Sequence, residues 1–102
     1  MDIRDILKQK LSNNYGIETN DYYQIDNTFS YEGKGETFGN VFVQLSMSMG
    51  TITVSLGYQH HVIIQACEYK LDTIENPDEV VRDVAESYKK LIERASLLVS
   101  DL

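Results

Sequence analysis

Apolar residues first recur at helical spacing and then change period. Ile3, Leu7 and Leu11 fall four positions apart with Ile6 beside them, a helical spacing, behind an Asp2 placed to cap a helix. Asn13-Asn14-Tyr15-Gly16 supplies a stop, with Gly16 as the left-handed residue past the end. This predicts a helix to about residue 13 with one narrow apolar stripe, too short to stand without a sheet beneath it. From Tyr22 the period is two. Tyr23, Ile25, Phe29 and Tyr31 alternate with Gln24, Asp26, Thr28 and Ser30, and Asn27 interrupts the inner face as the sign of a bulge or a strand end. Gly33 through Gly39 reads as a loop, after which Val41, Val43, Leu45 and Met47 alternate with Phe42, Gln44, Ser46 and Ser48.

Beyond Met49-Gly50 the apolar set moves to even positions: Ile52, Val54, Leu56 and Tyr58. Opposed residues of a hairpin have a constant sum of positions and share a face. A two-residue loop at Met49-Gly50 opposes 47 with 52, 45 with 54, 43 with 56 and 41 with 58, and every pair is apolar. A three-residue loop would set apolar against polar throughout. Gly50 provides the positive φ of such a turn, although methionine is not a favoured companion. A fourth strand is expected from near His61. Its run Val62–Cys67 is apolar on both faces, and a three-residue turn around Tyr58-Gln59-His60 would oppose 56 with 62, 54 with 64 and 52 with 66.

Asn76-Pro77-Asp78-Glu79 opens a second helix, with a capping Asn, Pro at the first helical position and Glu where a capping box places it. Val81, Val84, Tyr88, Leu91, Ala95, Leu98 and Leu102 follow in 3-4 alternation, widened by Ala85, Ile92 and Val99 into a stripe that suits a sheet. Acids lead and bases follow along it, as the helix dipole prefers. The expected fold class is therefore α+β: one domain over residues 1–102, two-layer, in the order α-β-β-β-β-α, with a four-stranded antiparallel meander covered by an N-terminal helix and a long C-terminal helix. With strands of seven or eight residues spanning roughly 25 Å and a closing helix of roughly 36 Å, the end bearing Leu97, Leu98, Val99 and Leu102 should overhang the sheet. It would then pack on the first helix or remain an exposed apolar end.

Composition narrows the function classes. The 102 residues are 42% hydrophobic and 25% charged, as in an ordinary globular protein. The net charge of −7 argues against nucleic acid and anionic membranes and leaves a basic protein as the partner that charge would favour. The start lacks the basic and apolar regions of a signal peptide, no stretch reaches membrane-spanning length, and a single Cys67 fits a reducing compartment, so a cytoplasmic location is expected.

No catalytic, metal-binding or cofactor-binding motif stands out. His60-His61 would point to opposite faces of a strand and has no acid or thiol nearby in sequence to complete a zinc set. Cys67 reads as a packed strand thiol. Gly33-Lys34-Gly35-Glu36 lacks the spacing and the Lys-Ser/Thr pair of a phosphate loop. The acids at 18, 21, 26 and 32 form a solvated rim or a surface for a basic partner. The departure from the norm is the absence of any charged residue between Glu36 and Glu68, a run of 31 residues covering three strands. Its solvent-side positions are Phe42, Gln44, Ser46 and Ser48, then Thr51, Thr53 and Ser55, then His61, Ile63, Gln65 and Cys67. Hydroxyls and amides cost little to desolvate, and interface cores are depleted of charge.

The expectation is a non-enzymatic protein-binding module acting through an uncharged sheet face with an acidic rim, its contact set Phe42, Gln44, Ser46, Thr53, Ser55, Ile63 and Gln65. Small acidic inhibitors (some carried by phages), immunity proteins and secretion chaperones share this character as a fold-level analogy. Homodimerisation through the sheet face or the C-terminal helix end is a variant of the same reading. The alternative is a small-molecule domain with a pocket between sheet and helices lined by Tyr23, Tyr31, Tyr58 and Tyr88.

Overall fold

Local signals at the ends of the first helix are satisfied atom by atom. The computed structural model describes residues 2–33, 37–58 and 61–100, and the side chains of these except 31–33, 37–39 and Ser100. Asp2 accepts the Arg4 backbone N–H at 2.9 Å and caps α1 (Ile3–Tyr15). Gly16, at φ 67°, donates to the Ser12 carbonyl at 3.0 Å while Ile17 N–H reaches the Leu11 carbonyl at 3.1 Å. That pair of bonds closes the helix two residues later than its apolar spacing indicated. At the other end of the chain, the Asn76 side chain accepts the Glu79 N–H at 3.4 Å and Pro77 begins α2 (Pro77–Ser100).

Between the helices run β1 (Gln24–Gly33), β2 (Thr37–Ser48), β3 (Thr51–Tyr58) and β4 (His61–Lys70), followed by a single 3-10 turn at Leu71–Thr73. They form one antiparallel sheet in the order β1-β2-β3-β4. The expected α+β architecture is the one observed. The β2–β3 register also agrees, with Met47 opposite Ile52 and Val41 opposite Tyr58. Met49 and Gly50 both take positive φ (54° and 76°), as a two-residue turn matched to the strand twist requires.

Several expectations need correction. Pairing of β1 with β2 continues to Gly33 opposite Thr37, so residues 37–39 belong to a strand; Lys34, Gly35 and Glu36 lie outside the described residues. Asn27 marks neither a bulge nor a strand end. It sits mid-strand opposite Val43, and its amide donates to the Tyr88 hydroxyl of α2, which makes a polar residue tolerable on the inner face. In β4 the turn pairs Tyr58 with His61, and two bulges then shift the register, giving Leu56 opposite Ile64, Val54 opposite Cys67 and Ile52 opposite Tyr69. An apolar run carries no alternation to reveal a bulge, so opposed positions along β4 do not keep the constant sum expected from its turn.

On the inner face the pairings create cross-strand rows: Tyr23-Met47-Ile52-Tyr69, Ile25-Leu45-Val54-Cys67, Asn27-Val43-Leu56-Ile64 and Phe29-Val41-Tyr58. The residues from β2 and β3 are buried against Leu7 and Leu11 of α1 and Val81, Val84, Leu91 and Ala95 of α2, Tyr58 excepted, in one hydrophobic cluster. Both helices therefore lie on this face. They are tied side by side by Lys10 Nζ to Asp78 at 2.7 Å and by the Lys89 ammonium 5.6 Å above the Tyr15 ring. The strands are longer than expected, β2 having 12 residues, or roughly 40 Å, so a helix of 24 residues and roughly 36 Å does not outreach the sheet. Its last turns stay open all the same: Leu97 and Leu98 are 64% and 42% exposed instead of packing on α1. Leu102 lies outside the described residues.

A candidate binding face on the uncovered side of the sheet

With both helices on one side, the opposite side of the sheet is bare. Its rows follow from the same registers: Gln24-Ser46-Thr53-Glu68, Asp26-Gln44-Ser55-Gln65 and Thr28-Phe42-Gly57-Val62, with Ser48, Thr51 and Lys70 beyond the first. Along the two central strands the outward set from Phe42 to Ser48 and from Thr51 to Gly57 has no charged member. Acids stand on either flank, each held by a glutamine from its own row or strand. Gln44 Nε2 donates to Asp26 Oδ1 at 2.9 Å, and the Gln65 amide donates to the Glu68 carboxylate.

The centre of this face is already close-packed. Ser46 and Ser55 are buried at 7% exposure with no helix above them, because neighbouring side chains cover their short ones. Phe42 lies flat across the strand gap over Gly57. A Cβ at position 57 would meet the Phe42 ring at 2.1 Å and the His61 carbonyl oxygen at 2.5 Å, so only glycine lets the ring settle. Val62 adjoins this pair and Ile63 sits at the first bulge, exposed at 57% and 61%. The result is an apolar end (Phe42, Val62, Ile63) grading into a hydroxyl and amide centre.

Of the predicted contact residues, Phe42, Gln44, Ser46, Thr53, Ser55 and Gln65 share the bare face, and Ile63 is displaced into a bulge beside it. Cys67 faces inward, against the expectation, because the second bulge reverses its side. Burial pushes its thiol pKa up, and the Ser87 side chain hydrogen-bonds it. Val62 turns outward because of the first bulge, at Ile63. Nor is the whole face charge-free: Asp26, Glu68 and Lys70 occupy outward positions on the two outer strands. Val62 was hidden by the bulges, whereas Gly57 follows from the same odd positions of β3 as Thr51, Thr53 and Ser55 and could have been read from them. Of the acids at 18, 21, 26 and 32, Asp26 alone reaches this face among the described side chains. Glu18 accepts from the Ser12 hydroxyl beside α1, Asp21 lies in the turn before β1, and the Glu32 side chain is outside the described set.

The remaining candidates do not assemble. His61 is exposed at the start of β4, and His60 lies outside the described residues. Among the described residues no three His, Cys, Asp or Glu side chains converge as a metal set. The tyrosines are dispersed. Tyr23, at a positive φ of 59°, donates to Asp5 at 2.5 Å beneath the Arg4 guanidinium 4.7 Å away. Tyr58 is at the far end of β3, Tyr88 faces Asn27, and the Tyr31 side chain is outside the described set. Tyr69 donates to Asp83 of α2 and, held neutral mainly by that bond, has its pKa pushed up to about 12.

No protein-family model, curated protein or solved structure matches the chain. No described helix is long and apolar enough to cross a membrane.

Proposed function

We propose that this protein is a non-enzymatic binding module that engages another protein through the bare side of its sheet. The reading rests on one observation: four strands carry both helices on one side, and on the other their two central strands present hydroxyls, amides and Phe42 without a charge. Such a surface loses little on desolvation, whereas a lysine- and glutamate-covered sheet face would lose much. Asp26 and Glu68 on the flanks favour a partner whose contact patch is bordered by basic residues, in keeping with the net charge of −7. An acidic inhibitor, immunity-type protein or chaperone working in the cytoplasm is the class this chemistry suits.

Lysine at Gln44 or Thr53 tests the reading. Neither side chain belongs to the core, so each variant should keep the parent's circular dichroism and melting transition. Each should weaken capture of the partner from the native cell at least about tenfold: lysine at 44 stands opposite Asp26 and lysine at 53 opposite Glu68, and burying such an ion pair in a contact costs about 1.4 kcal/mol or more in desolvation. A control at Asp72, exposed at the end of the sheet, should capture as the parent does. Full capture by both lysine variants would sink the proposal.

A further inference from the structure

The two edges of the sheet are treated differently. Along β4 the bulges at Ile63 and Ala66, followed by Glu68 and Lys70, interrupt the outward row of backbone groups, the usual protection of an edge. β1 has no bulge, no proline and no lysine over its ten residues. Its free groups can be assigned. Tyr23 carbonyl accepts from Met47 N–H at 3.0 Å, so by antiparallel alternation the odd residues of β1 bond to β2 and the even ones point away. Asn20 takes up both outward groups of Gln24, through its side chain at 3.1 Å and its N–H at 2.9 Å. Asp26, Thr28 and Ser30 then present N–H and C=O to the open edge.

An apolar groove adjoins the same edge. α1 ends at Tyr15, level with Lys89, and beyond it α2 and β1 leave a cleft of about 420 Å³ lined by Asn27, Phe29, Tyr88, Lys89, Ile92 and Glu93. Its mouth carries one base and one acid a helical turn apart.

We infer that β1 pairs with β1 of a second copy, antiparallel and centred on Thr28, to give a continuous eight-stranded sheet. Centring on Thr28 opposes Asp26 with Ser30 and avoids two carboxylates face to face. A two-fold axis perpendicular to the sheet keeps all helices on one side and brings the two grooves together, Phe29 and Ile92 of each copy against the other's. Lys89 then faces the partner's Glu93 and Glu93 the partner's Lys89, so the rim is complementary to itself, as a two-fold contact requires. The edge adjoins the bare face at Asp26 and Thr28 but uses their backbone groups and the groove on the helix side, and neither proposal depends on the other.

Sedimentation equilibrium of the full chain tests it. The parent should weigh twice 11.7 kDa at micromolar concentration. Thr28→Pro removes an outward N–H that no β2 bond uses, and Thr28→Lys sets like charges together while keeping every ladder bond; each should raise the dimer dissociation constant at least about tenfold with an unchanged far-UV spectrum. Lys89→Glu should weaken the dimer and Lys89→Glu with Glu93→Lys should restore it. A parent that remains at 11.7 kDa up to roughly 0.1 mM, a dimer indifferent to Thr28→Lys, or a double swap no tighter than the single one overturns the inference.

Discussion

The Met49-Gly50 turn isolates a conformational energy almost free of packing. Met49 holds φ 54° and is 99% exposed, so its side chain contributes strain without compensating burial. A left-handed conformation costs a residue with a Cβ roughly 1–2 kcal/mol, less for asparagine, whose short polar side chain suits it. Met49→Asn should therefore stabilise the protein by about 1 kcal/mol, which in a domain of this size raises the melting temperature by roughly 4–8 °C. Gly50 supplies the converse. At φ 76° nothing lies within 4 Å of a built Cβ, so Gly50→Ala meets no clash and its cost, about 1–2 kcal/mol, is backbone strain alone. Urea unfolding followed by circular dichroism measures both, with the midpoint moving up for one and down for the other at constant m. If Met49→Asn leaves the midpoint unchanged or lowers it at the same m, the two-residue turn with two positive φ angles is wrong.

Three further perturbations address the rest of the molecule. Gly57→Ala should cost about 1–3 kcal/mol from overpacking, and truncating Phe42 should relieve only part of it, since the His61 carbonyl oxygen at 2.5 Å cannot move away; urea midpoints of the single and double variants decide this. Thr19 Oγ1 is buried with no hydrogen-bond partner among the described residues, so Thr19→Val, of nearly the same shape, should stabilise by about 1 kcal/mol in the same assay. Tyr69 stays protonated in the folded state up to about pH 12, held by Asp83, whereas in the unfolded chain it ionises near its ordinary value of 10.0. Its contribution is thus fully present below pH 10 and is lost as pH rises towards 12, so between those values the parent should lose stability faster than Tyr69→Phe; parallel declines would contradict the bond.

The fold was legible where alternation was strict. The parity switch across Met49-Gly50 set the β2–β3 register because each residue there is plainly apolar or polar, and the caps at Asp2, Gly16 and Asn76 marked the helix ends chemically. β4 was opaque for the opposite reason: Val62-Ile63-Ile64 offers apolar side chains to either face, so bulges at Ile63 and Ala66 leave no trace in the pattern. That single ambiguity misplaced Cys67 and Val62 and hid Glu68 on the outer face. Asn27 showed the limit of reading one element at a time, since its inward amide makes sense only once Tyr88, 61 residues away, is beside it. The candidate face survived these errors because its centre comes from β2 and β3, where the register was secure.

Site-specific photo-crosslinking in the native cell tests the central claim most directly. A benzophenone side chain at Thr53, on the bare face, should give a covalent adduct with a second protein, while the same group at Glu86, exposed on α2, should give none. Adducts from position 86 with none from position 53 would contradict the assignment of the uncovered sheet face as the binding surface.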